Sequence, residues 1–325
     1  MALRMCFTSL TRPGLSVSLS PISIRGVSKR ARVGSRVQEG RSWRVALKEA
    51  AFSPSRNATE KAFAVGQLAV GGGAVVGVGA LCFYGLGMSA RPGTLEMASL
   101  WPGYVKERVR STYTHLLSSL AITAGSAIAL SRSPGLLRSV TPRSPLGAIA
   151  LVASVMGSTF LVMSLPYEGG ASLKHLAWAG HSCLLGVVLC PLAGLGGTVL
   201  IRAAWTAAGI TMATSLIAAC APSDAYMSMA APLGAGLGLV AAASLGALFL
   251  PVGSALGSAV HVVSLYGGLL VFSWMLVSDT QRAVRQAETL AIHDPINSSM
   301  SLYMDIVNIF IRLSIIFGGG GGKRK

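Results

Sequence analysis

Apolar runs of membrane-spanning length alternate with short polar connections along most of the chain. A transmembrane helix needs roughly 20 consecutive, mainly apolar residues, and eight runs of about that length are present. They cover residues 63–88, 111–131, 145–165, 173–195, 198–221, 227–251, 254–278 and 296–317. The pattern therefore predicts an all-α fold, a polytopic membrane helix bundle.

The first and last runs differ from the six between them. The first is rich in glycine, and its Gly73 and Gly77 form a GxxxG pair, which allows two helices to approach closely in lipid. Two interpretations stay open for this pair, packing against the protein's own bundle or contact with a second copy in a homo-oligomer. The last run is less apolar because it carries Asp305, Asn308 and Arg312.

Charge is scarce in the chain and is concentrated at its two ends. Charged residues make up 12% of the sequence against 52% hydrophobic ones, whereas soluble domains average about one quarter charged. Seven of the Lys and Arg residues behind the net charge of +16 lie in residues 1–38, which contain no acid. Three more close the chain, after glycines that predict a flexible basic tail over 318–325. No series of aromatic residues interleaves these basic runs, so nucleic-acid binding is not predicted.

The N-terminal segment has the composition of a mitochondrial transit peptide. Leu3, Phe7 and Leu10 share one helical face, and basic, serine-rich sequence without acids follows. We predict a transit peptide and basic tail over 1–38, with cleavage near residues 25–35; a disordered basic tail is the alternative. A polar, matrix-facing segment over 39–62 would then precede the first span. The predicted location is the mitochondrial inner membrane, crossed several times.

The distribution of Lys and Arg near the span ends predicts the orientation. With eight spans, the matrix side receives the mature N-terminus, the loop that contains Arg132, Arg138 and Arg143, and the basic C-terminal tip. The opposite loops, including those with Glu168 and Asp224, would face the intermembrane space. If the last run dipped into the membrane and returned, the C-terminus would change sides.

Two aspartates are the candidates for chemistry within the membrane. Asp279 ends the seventh apolar run and Asp305 lies inside the eighth, where an ionised carboxylate is costly unless it is paired or protonated. A short hairpin between the runs would bring the two together, so that they share one proton. After losing that proton they would offer oxygen donors to calcium, and one ion would exchange for the other.

A structural interpretation of the same residues is equally open at this point. Asp279 would then be only an interfacial residue, and Asp305 would pair with Asn308 or Arg312 to hold helices together. Asp294, just before Pro295, is first a helix N-terminal signal and only secondarily a site residue.

The remaining polar residues predict no enzyme. The five cysteines are odd in number and scattered, and most of them lie inside apolar runs, which is typical of small buried hydrophobes. The histidines are interpreted as packing residues, and Arg202 is expected to extend toward the lipid headgroups. No nucleophile elbow, phosphate loop, zinc cluster or dinucleotide fingerprint is present. We therefore predict neither enzymatic activity nor a cofactor; calcium and protons would be transported ions.

Several segments resemble the transmembrane Bax inhibitor motif family. The C-terminal signature is similar in DTQ at 279–281, DPIN at 294–297 and LYMDIVNIF at 302–310. Other runs are similar to the family's mitochondrial member: LKEA at 47–50, GALC at 79–82, YGLG at 84–87, KHLAW at 174–178, LIRAAW at 200–205 and CAPS at 220–223. The resemblance implies a seven-helix core over 111–317, preceded by one extra transmembrane helix over 63–88.

The resemblance also implies a function and a site. Family members are similar in acting as pH-sensitive calcium leaks or exchangers, with a paired-aspartate sensor that corresponds to Asp279 and Asp305. One departure is Ser278, where the family pattern has tyrosine. For the mitochondrial member, the resemblance implies calcium/proton exchange, cristae organisation, cytochrome c retention during apoptosis and contact with an inner-membrane protease.

Two functions from different classes follow. The leading hypothesis is a calcium/proton antiporter, in which Asp279 and Asp305 hold a proton or transiently coordinate calcium. The alternative is a scaffold that maintains cristae and restrains apoptosis, without transport as its primary role.

Overall fold

The computed structural model describes most of the predicted membrane domain. The described residues are 56–85, 88–89, 91–133, 135, 138–139, 144–168, 172–222, 225–226, 229–247, 249–251 and 254–320. The predicted transit peptide, most of the 39–62 segment, Arg143, Asp224 and residues 321–325 lie outside them. Within the described residues the regular structure is helical, which confirms the all-α prediction.

Each of the eight predicted apolar runs forms a long helix. We number them α1 to α8: Arg56–Gly85, Gly103–Ser131, Pro145–Ser164, Leu173–Leu189, Gly197–Cys220, Ala230–Gly246, Ala255–Thr289 and Pro295–Gly320. In the described part of the chain, seven helices are long and apolar enough to cross a membrane. The eighth, α6, has 17 residues, which at 1.5 Å per residue gives about 25 Å, the lower limit for a span.

Two helices begin or end well away from the predicted boundaries. The connection before α2 contains a short helix, Thr94–Met97, and a 3-10 turn, Ala98–Leu100, and α2 itself begins at Gly103 rather than at residue 111. Helix α7 continues to Thr289, ten residues beyond Asp279, so the helix itself does not end where the apolar run ends. Hydropathy falls after residue 278, but tertiary contacts of the following residues stabilise the helix as far as Thr289.

Gln281 explains much of this extension of α7. Its side-chain amide donates to the backbone carbonyls of Ala218 and Pro222, at 3.3 and 2.8 Å, and its carbonyl oxygen accepts from the backbone N–H of Tyr226 at 3.1 Å. Beyond it, Ala283, Val284 and Ala287 continue the buried face at helical spacing. The polar end of α7 is therefore anchored to the segment that follows α5.

Helix α8 is continuous and lies at the centre of the bundle. Its 26 residues would span about 39 Å, so the last run does not dip and return. Tyr303, Leu302 and Ile309 are among the most fully buried side chains, because α8 packs against α2, α5 and α7. The helix also runs through Gly320, so the predicted tail over 318–325 begins at least three residues too early.

Contacts at the two ends of the bundle show that successive helices alternate in direction. At one end, Thr94 bonds to the Ala221 carbonyl, Arg108 to the Leu290 carbonyl and Lys174 to Asp294. At the other end, Gly318 packs against Leu195, and the guanidinium of Arg202 lies 5.4 Å from the centre of the Phe317 ring. This grouping of the connections agrees with the predicted one.

The glycines of α1 pack against the protein's own bundle. A Cβ atom at Gly66 would collide with the Tyr266 ring, and one at Gly73 would collide with Leu270 on α7. A Cβ atom at Gly77 would contact Ile217 at 3.7 Å. Of the two interpretations of the GxxxG pair, internal packing therefore accounts for these positions.

Candidate site at the hairpin of the last two helices

The two candidate aspartates stand at the same level of one antiparallel hairpin. Asp279 lies ten residues before the end of α7 at Thr289, and Asp305 lies ten residues after the start of α8 at Pro295. At 1.5 Å per residue, each is about 15 Å along its helix from the connecting turn. The helices pack against each other, and the two carboxyl groups lie within electrostatic range. The structure thus brings together the two residues that the sequence singled out.

The two carboxyl groups have different surroundings. Asp305 is only 2% exposed, and its Oδ2 atom has no hydrogen-bond partner among the described residues. Asp279 is partly exposed. The Ser301 hydroxyl, one turn before Asp305 on α8, is a hydrogen-bond partner of Asp279, and the charge of Arg282 also acts on it. The pair therefore has one buried member without full hydrogen bonding and one partly exposed member.

Asp305 does not form the pairing that the structural alternative required. Arg312 donates from Nη1 to the Asn308 side chain at 2.9 Å and to its backbone carbonyl at 3.1 Å. The Asn308 amide in turn donates to the carbonyl of Met304. Asn308 and Arg312 are four residues apart and meet on one helix face, whereas Asp305 precedes Arg312 by two turns. The predicted pairing of Asp305 with Asn308 or Arg312 was therefore wrong.

The start of α8 confirms the structural interpretation of Asp294. Its Oδ1 accepts hydrogen bonds from the backbone N–H groups of Ile296 and Asn297, both at 3.0 Å, which is the arrangement of a helix N-cap. Its Oδ2 lies 2.5 Å from Nζ of Lys174. The Lys174 ammonium is completely buried and also donates to the carbonyl of Leu165 at 2.7 Å.

Arg108 fixes the turn between the last two helices. Its guanidinium donates to the backbone carbonyls of Ala287, Leu290 and Ala291 at 2.7–3.1 Å, and so satisfies carbonyls that the end of α7 leaves free. His293 lies in the same turn, with Nε2 3.1 Å from the Thr112 hydroxyl. Burial, and then the charge of Arg108, lower the pKa of His293, which favours the neutral ring. Sequence reasoning missed both residues.

Few further metal ligands accompany the aspartates. Among the described residues, no group of three or more His, Cys, Asp or Glu side chains could hold a metal ion. Calcium takes six to eight oxygen ligands. A calcium ion at Asp279 and Asp305 would therefore need carbonyl, hydroxyl or water oxygens as well, as in a transient site rather than a storage site.

The chain matches a known protein family over most of its membrane domain. The family model described as "Inhibitor of apoptosis-promoting Bax1" matches residues 105–322, which is about two thirds of the chain. The chain belongs to this Bax inhibitor family. It is also 47% identical over 284 residues to the growth hormone-inducible transmembrane protein of Rattus norvegicus, an alignment that covers 86% of the chain and 82% of the relative. No solved structure gives a significant match.

The family match and the fold divide the chain in the same way. The matched segment of this Bax inhibitor family member begins two residues into α2 and extends past the end of α8. It contains seven of the eight helices and both aspartates, while α1 precedes it. The predicted arrangement of a family core with one additional N-terminal helix agrees with these bounds.

Proposed function

We propose that this member of the Bax inhibitor family exchanges calcium for protons across the inner mitochondrial membrane, with Asp279 and Asp305 as the exchange site. The observation that carries the proposal is that the carboxyl groups of Asp279 on α7 and Asp305 on α8 lie at the same distance from the hairpin turn. One member is buried with an unpartnered oxygen, and the other is partly exposed.

The mechanism follows from the cost of two like charges in a low-dielectric site. Two carboxylates within electrostatic range cannot both ionise cheaply, so the pair retains a proton while no cation is present. A calcium ion supplies the compensating charge and displaces that proton. Proton and calcium therefore compete for the same two side chains, which is the requirement for exchange.

The difference in exposure suggests separate roles for the two aspartates. Asp279 would receive ions first, since it is partly exposed and Ser301 orients it. Asp305 would hold the proton, because the unpartnered oxygen of its buried carboxyl makes a lone negative charge costly there. We expect loss of Asp305 to abolish exchange and loss of Asp279 to weaken calcium entry into the site.

Calcium-driven proton flux in liposomes tests the proposal. The purified full-length protein is reconstituted, and internal pH is followed while a calcium gradient is applied at several pH values. Wild type should exchange, Asp305→Asn should lose at least nine tenths of the flux, and Glu168→Gln, a change in an exposed connection, should behave as wild type. If neither wild type nor the control variant transports after folded reconstitution, antiport is refuted.

The inner-membrane location is part of the same proposal. Its support is the acid-free basic segment over 1–38 and the excess of Arg in the 132–143 connection. Fusing residues 1–38 to a soluble reporter should direct the reporter into mitochondria and lead to cleavage of the segment. A reporter that stays outside would contradict the transit-peptide interpretation.

If the protein does not exchange calcium for protons, the alternative function is a scaffold that maintains cristae. Under that function, cristae shape, cytochrome c retention and contact with an inner-membrane protease would depend on the folded bundle and not on the aspartates. In cells that lack the protein, Asp305→Asn should restore cristae but not calcium exchange if antiport is correct. Loss of cristae with preserved calcium flux in that variant would support the scaffold instead.

A further inference from the structure

A cavity beside α8 contains a buried cation that the proposed antiport does not use. The cavity has a volume of about 160 Å³ and lies among α3, α4, α6, α7 and α8. Most of its wall is aliphatic, including Leu151, Val155, Val188 and Ile311. Its polar lining comes from Arg312, Asn308 and two serines, Ser244 and Ser264, whose hydroxyls lie 2.6 Å apart.

Several features of the fold hold the Arg312 guanidinium in this cavity. Its Nε donates to the carbonyl of Ser264 at 3.2 Å, in the π-helical turn Val263–Gly267 of α7. π-helical turns inside α-helices are rare overall, and those that occur are often found at functional sites. Gly268 makes room for the group, because a Cβ atom there would collide with the guanidinium. The ring of Phe272 packs against the group, with its centroid 4.4 Å from Cζ of Arg312.

The charge of Arg312 has no counter-charge in the described structure. Arg312 is 9% exposed, and its hydrogen bonds go to neutral oxygens of Ser264 and Asn308. None of the carboxylates among the described residues forms an ion pair with Arg312. The carboxylate of Asp294, for example, pairs with Lys174 instead. A buried charge without a partner costs several kcal/mol, so an anionic ligand at this position would stabilise the site.

The shape of the cavity indicates which anion fits. Val152 and Met156, both on the α3 wall, are 36% and 63% exposed, so the cavity opens onto the surface that lipid would cover. A cavity of about 160 Å³ is similar in size to an engineered cavity of about 150 Å³ that binds benzene, so it holds roughly six heavy atoms. A carboxylate with the first part of its chain fits that space, and the rest of the chain can lie outside along α3. A phosphodiester headgroup with its glycerol has more heavy atoms than this space holds, even with both of its chains outside.

We propose that this cavity binds a single-chain anionic amphiphile, a long-chain fatty acid, with its carboxylate on Arg312. The ligand enters from the bilayer between α3 and the rest of the bundle. Binding neutralises the charge of Arg312, which has no counter-charge among the described residues. The proposal does not rest on calcium exchange, because its observations are the cavity and the neutral partners of Arg312 rather than the aspartate pair.

Photo-crosslinking of the full-length protein in detergent micelles tests the proposal. The probe is palmitic acid that carries a diazirine in its chain and an alkyne for detection, and labelled peptides are identified by mass spectrometry. Wild type should be labelled on the walls of the cavity. Unlabelled palmitic acid should compete at least tenfold better than hexadecanol, which has the same chain without the charge. Equal competition by the alcohol, or better competition by phosphatidylglycerol, would overturn the assignment.

Three variants make the test specific to the cavity. Arg312→Met removes the cation, Val155→Trp fills the aliphatic part, and Arg202→Met removes another arginine from a membrane helix. Labelling should fall at least tenfold in the first two and stay at the wild-type level in Arg202→Met. Should Arg312→Met fail to fold, Val155→Trp and the acid-versus-alcohol competition decide the question. Undiminished labelling in Val155→Trp would refute binding in this cavity.

Discussion

Individual buried polar residues of this protein differ in how completely the fold satisfies them. Lys174 is fully buried but has both a carboxylate and a carbonyl as partners. Arg312 has only neutral partners among the described residues, and one oxygen of Asp305 has none there. Satisfied buried groups hold a structure together, whereas unsatisfied ones often mark sites that bind a proton or ligand. On this basis Lys174 is structural, and Asp305 and Arg312 are the functional candidates.

The buried Lys174–Asp294 pair gives a prediction at the residue scale. Lys174→Met leaves the carboxylate of Asp294 without its partner, so we expect a loss on the order of 3 kcal/mol of unfolding free energy. Asp294→Asn keeps an N-cap acceptor but leaves the buried Lys174 ammonium without a negative partner. It should therefore lower the unfolding free energy by a similar amount. The double variant should be more stable than the sum of the two losses predicts, as measured by thermal unfolding in detergent. Simple additivity would mean that the two side chains are not coupled.

At the scale of the element, α1 packs on the bundle through one face that includes two close glycine contacts and the ring of Phe63, which lies edge-on to Tyr266. The helix otherwise presents exposed aliphatic side chains such as Leu68, Val75 and Val76, as expected of a helix at the lipid-facing edge of a bundle. Gly66 and Gly73 lie against Tyr266 and Leu270. Small residues let backbones approach closely in lipid, so we expect these two positions to contribute strongly to the docking of α1.

A matched pair of neighbouring glycines tests how α1 docks. Gly73→Leu should displace α1 from α7, since the new side chain would collide with Leu270, whereas Gly72→Leu points into space without described neighbours. We expect Gly73→Leu to lower the melting temperature by several degrees and to increase protease cleavage near α1. Gly72→Leu adds the same side chain and should change neither. Equal effects of both changes would argue against the packing described here.

For the whole molecule, the alternating topology is tested most directly at α6. Helix α6 has 17 residues, yet its contacts follow α7 in antiparallel order, with Gly236 near Val271, Ser244 near Ser264 and Gly246 near Val260. If α6 crosses the membrane, all eight helices alternate and both termini of the bundle lie on one side. If it does not, the alternating packing of α7 and α8 against α2 and α4 described above is wrong.

Accessibility of two single cysteines distinguishes these topologies. In a cysteine-free background, Met229→Cys and Phe249→Cys place exposed thiols at the two ends of α6. A membrane-impermeant maleimide should label the two positions from opposite sides of sealed vesicles. Labelling of both from the same side would show that α6 does not cross, and would contradict the alternating arrangement of the bundle.

The sequence by itself determined the membrane class, the helices and the two aspartates of this protein. Apolar runs of about 20 residues form helices in lipid, because every backbone polar group must be hydrogen-bonded there. Acidic residues are scarce in the chain, and this scarcity singled out Asp279 and Asp305. The N-cap at Asp294 followed from local chemistry as well. These inferences depend on hydropathy and on neighbours in sequence, which one chain displays directly.

Only the tertiary structure decided which buried groups are paired. Lys174 lies 120 residues from Asp294 and Arg108 about 180 residues from the carbonyls that it binds, so no local pattern reveals either contact. The same holds for Gln281, which extends α7 beyond its apolar run. The pairing of Asn308 with Arg312, the π-helical turn beside them and the cavity that they line arise because α7 and α8 pack in one particular register. Sequence supplies the charged groups, but their energies depend on which neighbours the packing provides.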